Sequence, residues 1–225
     1  HQSLEGLFFP DTYQFAWNTD VMVVLKLSHD KLLQVLQQAW QQRAANLPYK
    51  TPYEALIVAS LIEMETPILT ERPLIAGVIL QRLKQGMRLQ IDPTVSYGLH
   101  QPLRQPLTRS DLASITPYNT YKIHGLPPTP IALPSASSIQ AAMHPVFNGY
   151  LFYVSTGHGE HRFSATYDEH LEAVSKYREH ERQQKQKQSH LEQQQQWVDQ
   201  WTLAAIEYMF RPLQVIIAIE QVSHV

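Results

Sequence analysis

The chain has 225 residues, 44% hydrophobic and 17% charged, with a net charge of −2. That supplies apolar material for one large domain, or a domain plus an appendage, and argues against a disordered chain. The near-neutral balance without a long basic run excludes the electrostatic footprint of a nucleic-acid binder. The absence of cysteine excludes disulfide and thiol chemistry and fits an oxidising compartment. No apolar run reaches the ~18 residues of a membrane span, so any anchor is expected upstream of His1. The chain opens His1-Gln2-Ser3, as a fragment or processed product would.

Leu4 to Tyr13 is aromatic and broken by Gly6 and Pro10, an extended segment and turn; Glu5 could be a second acid near a cleft. Asp20 to Gln42 has helical spacing, with a bend expected at Ser28-His29 and a second helix from Asp30. A buried helix follows, with Thr51 as cap and Pro52 in its first turn. It runs through Ala55, Leu56, Ile57, Val58, Ala59, Leu61 and Ile62, and ends at Glu65-Thr66-Pro67. Arg72 to Gln85 reads as another helix stopped by Gly86. Leu89 and Ile91 alternate with polar neighbours and predict a short strand before the turn at Asp92-Pro93-Thr94.

Leu107 to Ala113 predicts a short helix capped by Thr108 or Ser110. The prolines between 127 and 134 predict a stiff extended loop, either a connector or a wall of a cleft. Ser135 to Met143 is a short capped helix. Tyr150 to Val154 and His161 to Ser164 predict a β-hairpin, and Tyr167 to Glu181 an exposed helix. Residues 183–196 are almost all Gln, Lys and Glu, a solvated helix or linker. Beyond them Trp201, Ala204, Ala205, Tyr208 and Met209 recur at helical spacing up to a break at Arg211-Pro212. The fold class is therefore α+β: a helical core with short antiparallel strands, a C-terminal hairpin and an extra helical tail. The expected division is a domain over 1–185 and an extension over 186–225.

Two carboxylates close the buried helix. At about 100° per residue, Glu63 and Glu65 point roughly 200° apart. Glu65 lies over the stripe formed by Val58, Leu61 and Ile62, and Glu63 over Ala59 and Ser60. A carboxylate above an apolar stripe loses solvation and its pKa rises, which suits a general acid. The alternative, in which Glu65 caps the helix or pairs with Arg72, stays open at this point. His158 and His161 are three apart on the hairpin, but no His-Glu-x-x-His pattern exists, and neither a metal nor another cofactor is expected.

The motifs taken together resemble the endolytic murein transglycosylases, the YceG-like or MltG family. They are Leu4-Glu5-Gly6 with Phe9-Pro10-Asp11-Thr12-Tyr13, Ala59-Ser60-Leu61-Ile62-Glu63-Met64-Glu65-Thr66, Met87-Arg88-Leu89-Gln90 with Asp92-Pro93-Thr94, Tyr118-Asn119-Thr120-Tyr121, and Gly125-Leu126-Pro127-Pro128. His144-Pro145, Tyr150-Leu151 and His161-Arg162-Phe163 continue the likeness, which spans roughly residues 4 to 185. Met64 departs from the lysine usual in the family, and 197–225 has no counterpart.

The resemblance implies a periplasmic domain held at the inner membrane by a single upstream helix. It implies peptidoglycan glycan strands as substrate and peptidoglycan synthases as partners. The reaction implied is cleavage between N-acetylmuramic acid and N-acetylglucosamine, leaving 1,6-anhydro ends. The catalytic residue implied is Glu65, the acid also picked out by helix geometry. Gln90, Asn119, Thr120 and Tyr121 are the candidates to hold the sugars, and Glu5, Glu63 and Asp92 are candidate tuning carboxylates. Two alternatives stand beside this: a hydrolytic muramidase that needs a second carboxylate, and a non-catalytic peptidoglycan-binding scaffold.

Overall fold

The structure is a computed structural model that describes residues 3–102 and 105–222, with side chains described as far as residue 203. The elements in order are α1 (Val21–Gln41), α2 (Pro52–Glu65), α3 (Arg72–Lys84), α4 (Asp92–Gly98), α5 (Arg109–Ala113), α6 (Ala136–Met143), β1 (Phe152–Ser155), β2 (His161–Ser164) and α7 (Tyr167–Val222). The α+β reading holds: a helical bundle carrying one two-stranded antiparallel sheet.

Helix α2 is the axis of the core because it has no polar side to turn outward. Every residue from Ala55 to Ile62 is buried. Such a helix is stable only when neighbours cover it on all sides. α1 supplies Leu32, Leu36 and Ala39, α3 supplies Ile75, Ala76, Ile79 and Leu80, and α6 supplies Ile139, Ala142 and Met143. Thr51 caps α2 by accepting from the Glu54 N–H at 3.3 Å. Ser60, the one polar residue in the run, donates to the Ile57 carbonyl at 2.7 Å and accepts the Ile131 N–H at 3.1 Å. It thereby pins the proline-rich loop to the core. Gly77 of α3 lies so close to the chain at Val146 that a Cβ would sit 2.0 Å from the Val146 carbonyl oxygen.

Three local expectations are corrected. α1 is continuous through Ser28-His29, where Ser28 points inward and donates to the Phe9 carbonyl at 3.0 Å instead of bending the helix. Residues 87–91 form no strand, because the backbone turns left-handed at Gln90 (φ 55°) and α4 begins at Asp92. At the C-terminus α7 continues past Arg211-Pro212, where a break was expected; the Gln-rich stretch is helix, one of its two expected forms. The side chains of the apolar face expected over 204–219 lie outside those described.

In the hairpin, Tyr153 pairs with Phe163 and Ser155 with His161. The Phe152 ring meets Tyr167 at 5.8 Å and stacks on His170 at 5.1 Å, so the first turn of α7 packs on the sheet. The chain divides into two compact units, His1–Ala173 and Val174–Val225. Among the described residues, no helix is long and apolar enough to cross a membrane. Truncation after Lys185 keeps every residue of the first unit. Its cooperative melting transition should stay within about 2 °C of the full chain, as expected when exposed terminal chain is removed; calorimetry checks this.

Candidate active site

The two carboxylates at the end of α2 go to different places, as their angular separation requires. Glu63 is committed to protein partners: the Arg72 guanidinium at 3.0 and 3.1 Å, the Ser135 N–H at 2.9 Å and the Ser135 hydroxyl at 2.5 Å. Burial pushes its pKa up, but the bonds from Ser135 and Ser138 and the Arg72 charge outweigh burial and hold it below the ordinary carboxylate range. Arg72, the partner considered for Glu65, therefore belongs to Glu63.

Glu65 is the last residue of α2. Thr66 is extended (φ −144°, ψ 135°), and Pro67 prevents the helix from continuing. Its carboxyl is half-buried and has dense protein around it. The pKa is pushed up to about 7, chiefly by desolvation, with the Asp92 charge adding to the rise; a hydrogen bond from Tyr153 and the Arg82 charge oppose it. The helix C-terminus carries partial negative charge and disfavours the carboxylate further. The result is a carboxyl poised to give up a proton near neutral pH.

The surrounding groups come from three other elements. Arg82 of α3 is buried and spends its donors on the Leu151 carbonyl (2.7 Å), the Leu89 carbonyl (2.7 Å), the Arg88 carbonyl (3.2 Å) and Gln90 Oε1 (3.3 Å). It joins the segment that carries Gln90 to the one that leads into β1. Tyr153 of β1 lies near enough to Glu65 to oppose the rise of its pKa, and burial together with the Glu65 charge pushes its own hydroxyl well above the ordinary tyrosine pKa. Tyr121 donates to Asp92 Oδ1 at 2.5 Å, and burial and that bond push its pKa up too. Glu65, Tyr153, Arg82, Asp92, Tyr121 and Gln90 thus form one connected constellation.

Asn119 and Thr120, expected to hold sugar, are completely buried. The Asn119 amide donates to the carbonyls of Ser114 (2.7 Å) and Leu112 (3.3 Å), and its oxygen accepts the Tyr121 N–H at 2.9 Å. Thr120 Oγ1 accepts the Ile91 N–H at 2.9 Å and meets Thr94 Oγ1 at 2.9 Å. The Thr120 carbonyl accepts the Gln90 N–H at 3.2 Å. These two residues therefore hold Tyr121 and the left-handed turn at Gln90, a conformation costly for a residue with a Cβ, while Gln90 is exposed and Tyr121 partly so. Glu5 lies elsewhere, in an open cleft of about 530 Å³ lined by Tyr97, His100, Gln101, Ile131 and Ala132. One wall of that cleft is the proline-rich loop.

Tyr153 and Arg82 were not singled out by sequence reasoning. Tyr153 sits in an aromatic strand where any ring reads as core. Arg82 sits in the last turn of α3, where a cation reads as a dipole partner. The available signal was an arginine one turn after Val78 and Ile79, in the apolar row of α3.

The fold is a mixed helical domain with a carboxyl of raised pKa at the end of its central helix. The chain matches the YceG-like family over residues 1–176 and belongs to that family. An endolytic murein transglycosylase of Bacillus subtilis is 35% identical over 178 residues, covering 77% of this chain and 48% of that protein. One from Streptococcus pneumoniae is 30% identical over 158 residues, 68% of this chain and 28% of that protein. A crystal structure of a YceG-like protein from Listeria monocytogenes superposes with a TM-score of 0.67 at 33% identity, covering 75% of this chain and 55% of that one. The chain spans about half the length of the Bacillus relative, and less of the streptococcal one.

Proposed function

We propose that this domain is an endolytic lytic transglycosylase that cleaves the bond between N-acetylmuramic acid and N-acetylglucosamine within peptidoglycan, with Glu65 as acid and then base. The observation that carries the reading is a carboxyl at the last position of a buried apolar helix, its pKa pushed up to about 7, with the Tyr153 hydroxyl and the Arg82 charge beside it to favour the ionised form. Naming the B. subtilis and S. pneumoniae relatives endolytic murein transglycosylases supports the substrate.

Glu65 gives its proton to the glycosidic oxygen, and the C1–O bond breaks with charge building on C1 and the ring oxygen. The new carboxylate is met by the Tyr153 hydroxyl and the Arg82 charge, both of which favour it. It then takes the proton of the muramic C6 hydroxyl, whose oxygen closes on C1. No water is consumed, so a second carboxylate to activate one is not needed, unlike in the hydrolytic enzymes. Closure within one sugar depends on a held conformation, and Gln90 and Tyr121 are the groups placed to hold it. Asp92, bonded to Tyr121, sets the ring's orientation and raises the acid.

Of the other carboxylates considered, Glu63 is committed to Arg72 and Ser135, and Glu5 lines a separate cleft. We place the domain on the periplasmic side of the membrane, beside peptidoglycan synthases, held by a segment upstream. Mass spectrometry of purified glycan strands after digestion tests the reading. Anhydro-muramyl ends are expected; reducing muramic ends would identify a muramidase, and intact strands a binding domain.

The acid also predicts the pH profile. kcat/KM should fall as pH rises through about 7, because Glu65 is then ionised before it meets substrate.

A further inference from the structure

Glu71 occupies the N-cap position of α3 but makes no capping bond with its side chain. Its carboxylate is buried and accepts three hydrogen bonds at once: from Thr66 Oγ1 at 2.9 Å, from the His161 N–H at 2.7 Å and from His161 Nδ1 at 2.8 Å. Thr66 is the residue next to Glu65, and its hydroxyl oxygen also accepts the Ile68 N–H at 3.1 Å. The His161 ring meets the Tyr153 ring edge-on at 5.5 Å and 89°. In the hairpin register His161 faces Ser155 and Phe163 faces Tyr153, so His161 and Tyr153 are diagonal neighbours on one face.

We infer that Glu71 and His161 are a positioning pair for the acid: they lock the residue that follows Glu65 and the strand that carries its hydroxyl partner into one unit. The inference rests on the reading of Glu65 as the acid. Two routes leave the Glu71 carboxylate and converge on Glu65. One runs through Thr66 and the chain itself. The other runs through His161 to Tyr153. A buried carboxylate held by polar partners is a weak device for stability, because desolvation offsets much of what the partners return. An apolar pair would dock the hairpin equally well. What the carboxylate–imidazole pair supplies is direction: two oxygens fix a hydroxyl, a backbone N–H and a ring nitrogen relative to one another.

The test is Glu71→Gln, alone and combined with Tyr153→Phe, read by the pH dependence of kcat/KM on purified glycan strands. The amide keeps the shape but offers one acceptor oxygen in place of two: Thr66 Oγ1 and His161 Nδ1 share Oε2, whereas the His161 N–H on Oε1 would face an NH2 group, so the three bonds cannot all be kept. Glu71→Gln should lower kcat about tenfold with KM unchanged. It should also move the alkaline limb to higher pH, because the Tyr153 bond that favours the ionised acid is weakened. A direct charge effect would move the limb the other way. With Tyr153→Phe present, Glu71→Gln should add no further shift, and Glu71→Asp should restore the limb toward the native position. A lowered melting temperature with a native limb and native kcat overturns the inference, as does an undiminished shift in the Tyr153→Phe background. If Glu71→Gln does not fold, His161→Phe carries the same readouts. Glu65→Gln run alongside separates the two failures: if it still cleaves, the acid reading falls; if it is dead while the limb ignores Glu71, only the positioning pair falls.

Discussion

Glu65→Gln should fold, bind glycan strands and release no anhydro-muropeptides. Loss of a general acid typically costs about 10²–10⁴-fold, more with a poor leaving group. The variant should also be more stable than the parent at alkaline pH. A carboxyl raised from 4.5 to about 7 in the fold gains stability below 4.5 and loses it as pH rises through 7, since the folded site then holds an unwelcome charge. The penalty removed is on the order of 2 kcal/mol at pH 8, allowing for partial solvent access to the cleft. Thermal melts at pH 5 and pH 8 check it: the two proteins should melt together at pH 5, and the glutamine variant higher at pH 8. An active Glu65→Gln protein would sink the assignment of the acid.

What was legible in the sequence, and what was not, follows from the range of the forces involved. α2 could be read because an unbroken apolar run with Thr51 and Pro52 at one end and Pro67 after the other has one local solution. The separation of Glu63 from Glu65 is a property of helix geometry, and each does meet its own set of partners. The hairpin was visible in Tyr150 to Val154 because β-branched and aromatic residues sit between turn formers. The strand expected at 89–91 failed because Thr120 supplies the hydrogen bonds that turn Gln90 left-handed, and it lies 30 residues away. For the same reason Asn119 and Thr120 read as sugar ligands when their polar atoms are used up within the fold. Arg82 meets Tyr153, and Glu71 meets His161, across elements far apart in the chain, and no spacing along it announces them.

Glu63→Gln should show the opposite pattern, with chemistry retained and stability lost. The carboxylate ties α2 to α3 through Arg72 and to the start of α6 through Ser135. Arg72 in turn donates to the hydroxyls of Ser135 and Ser137 at 2.6 Å and of Ser138 at 3.0 Å. Ser135 is the N-cap residue of α6 but makes no capping bond, because its hydroxyl is given to Glu63. Removing the charge leaves a buried guanidinium without its counter-ion, which costs about 3 kcal/mol, and a unit of this size should melt roughly 10 °C lower. The pair is lost in acid as well. Because Glu63 is held below the ordinary range, its contribution is present above that range and disappears as pH falls through the folded pKa, so parent and variant should converge there. Glu63→Gln combined with Arg72→Met should recover part of the loss, since the uncompensated cation is gone. Turnover per folded molecule at 25 °C should stay within about threefold of the parent, because catalysis needs the Glu65 carboxyl and Glu63 points to the other side of the helix. A Glu63→Gln protein that melts normally but releases no anhydro ends would place the chemistry on Glu63 instead.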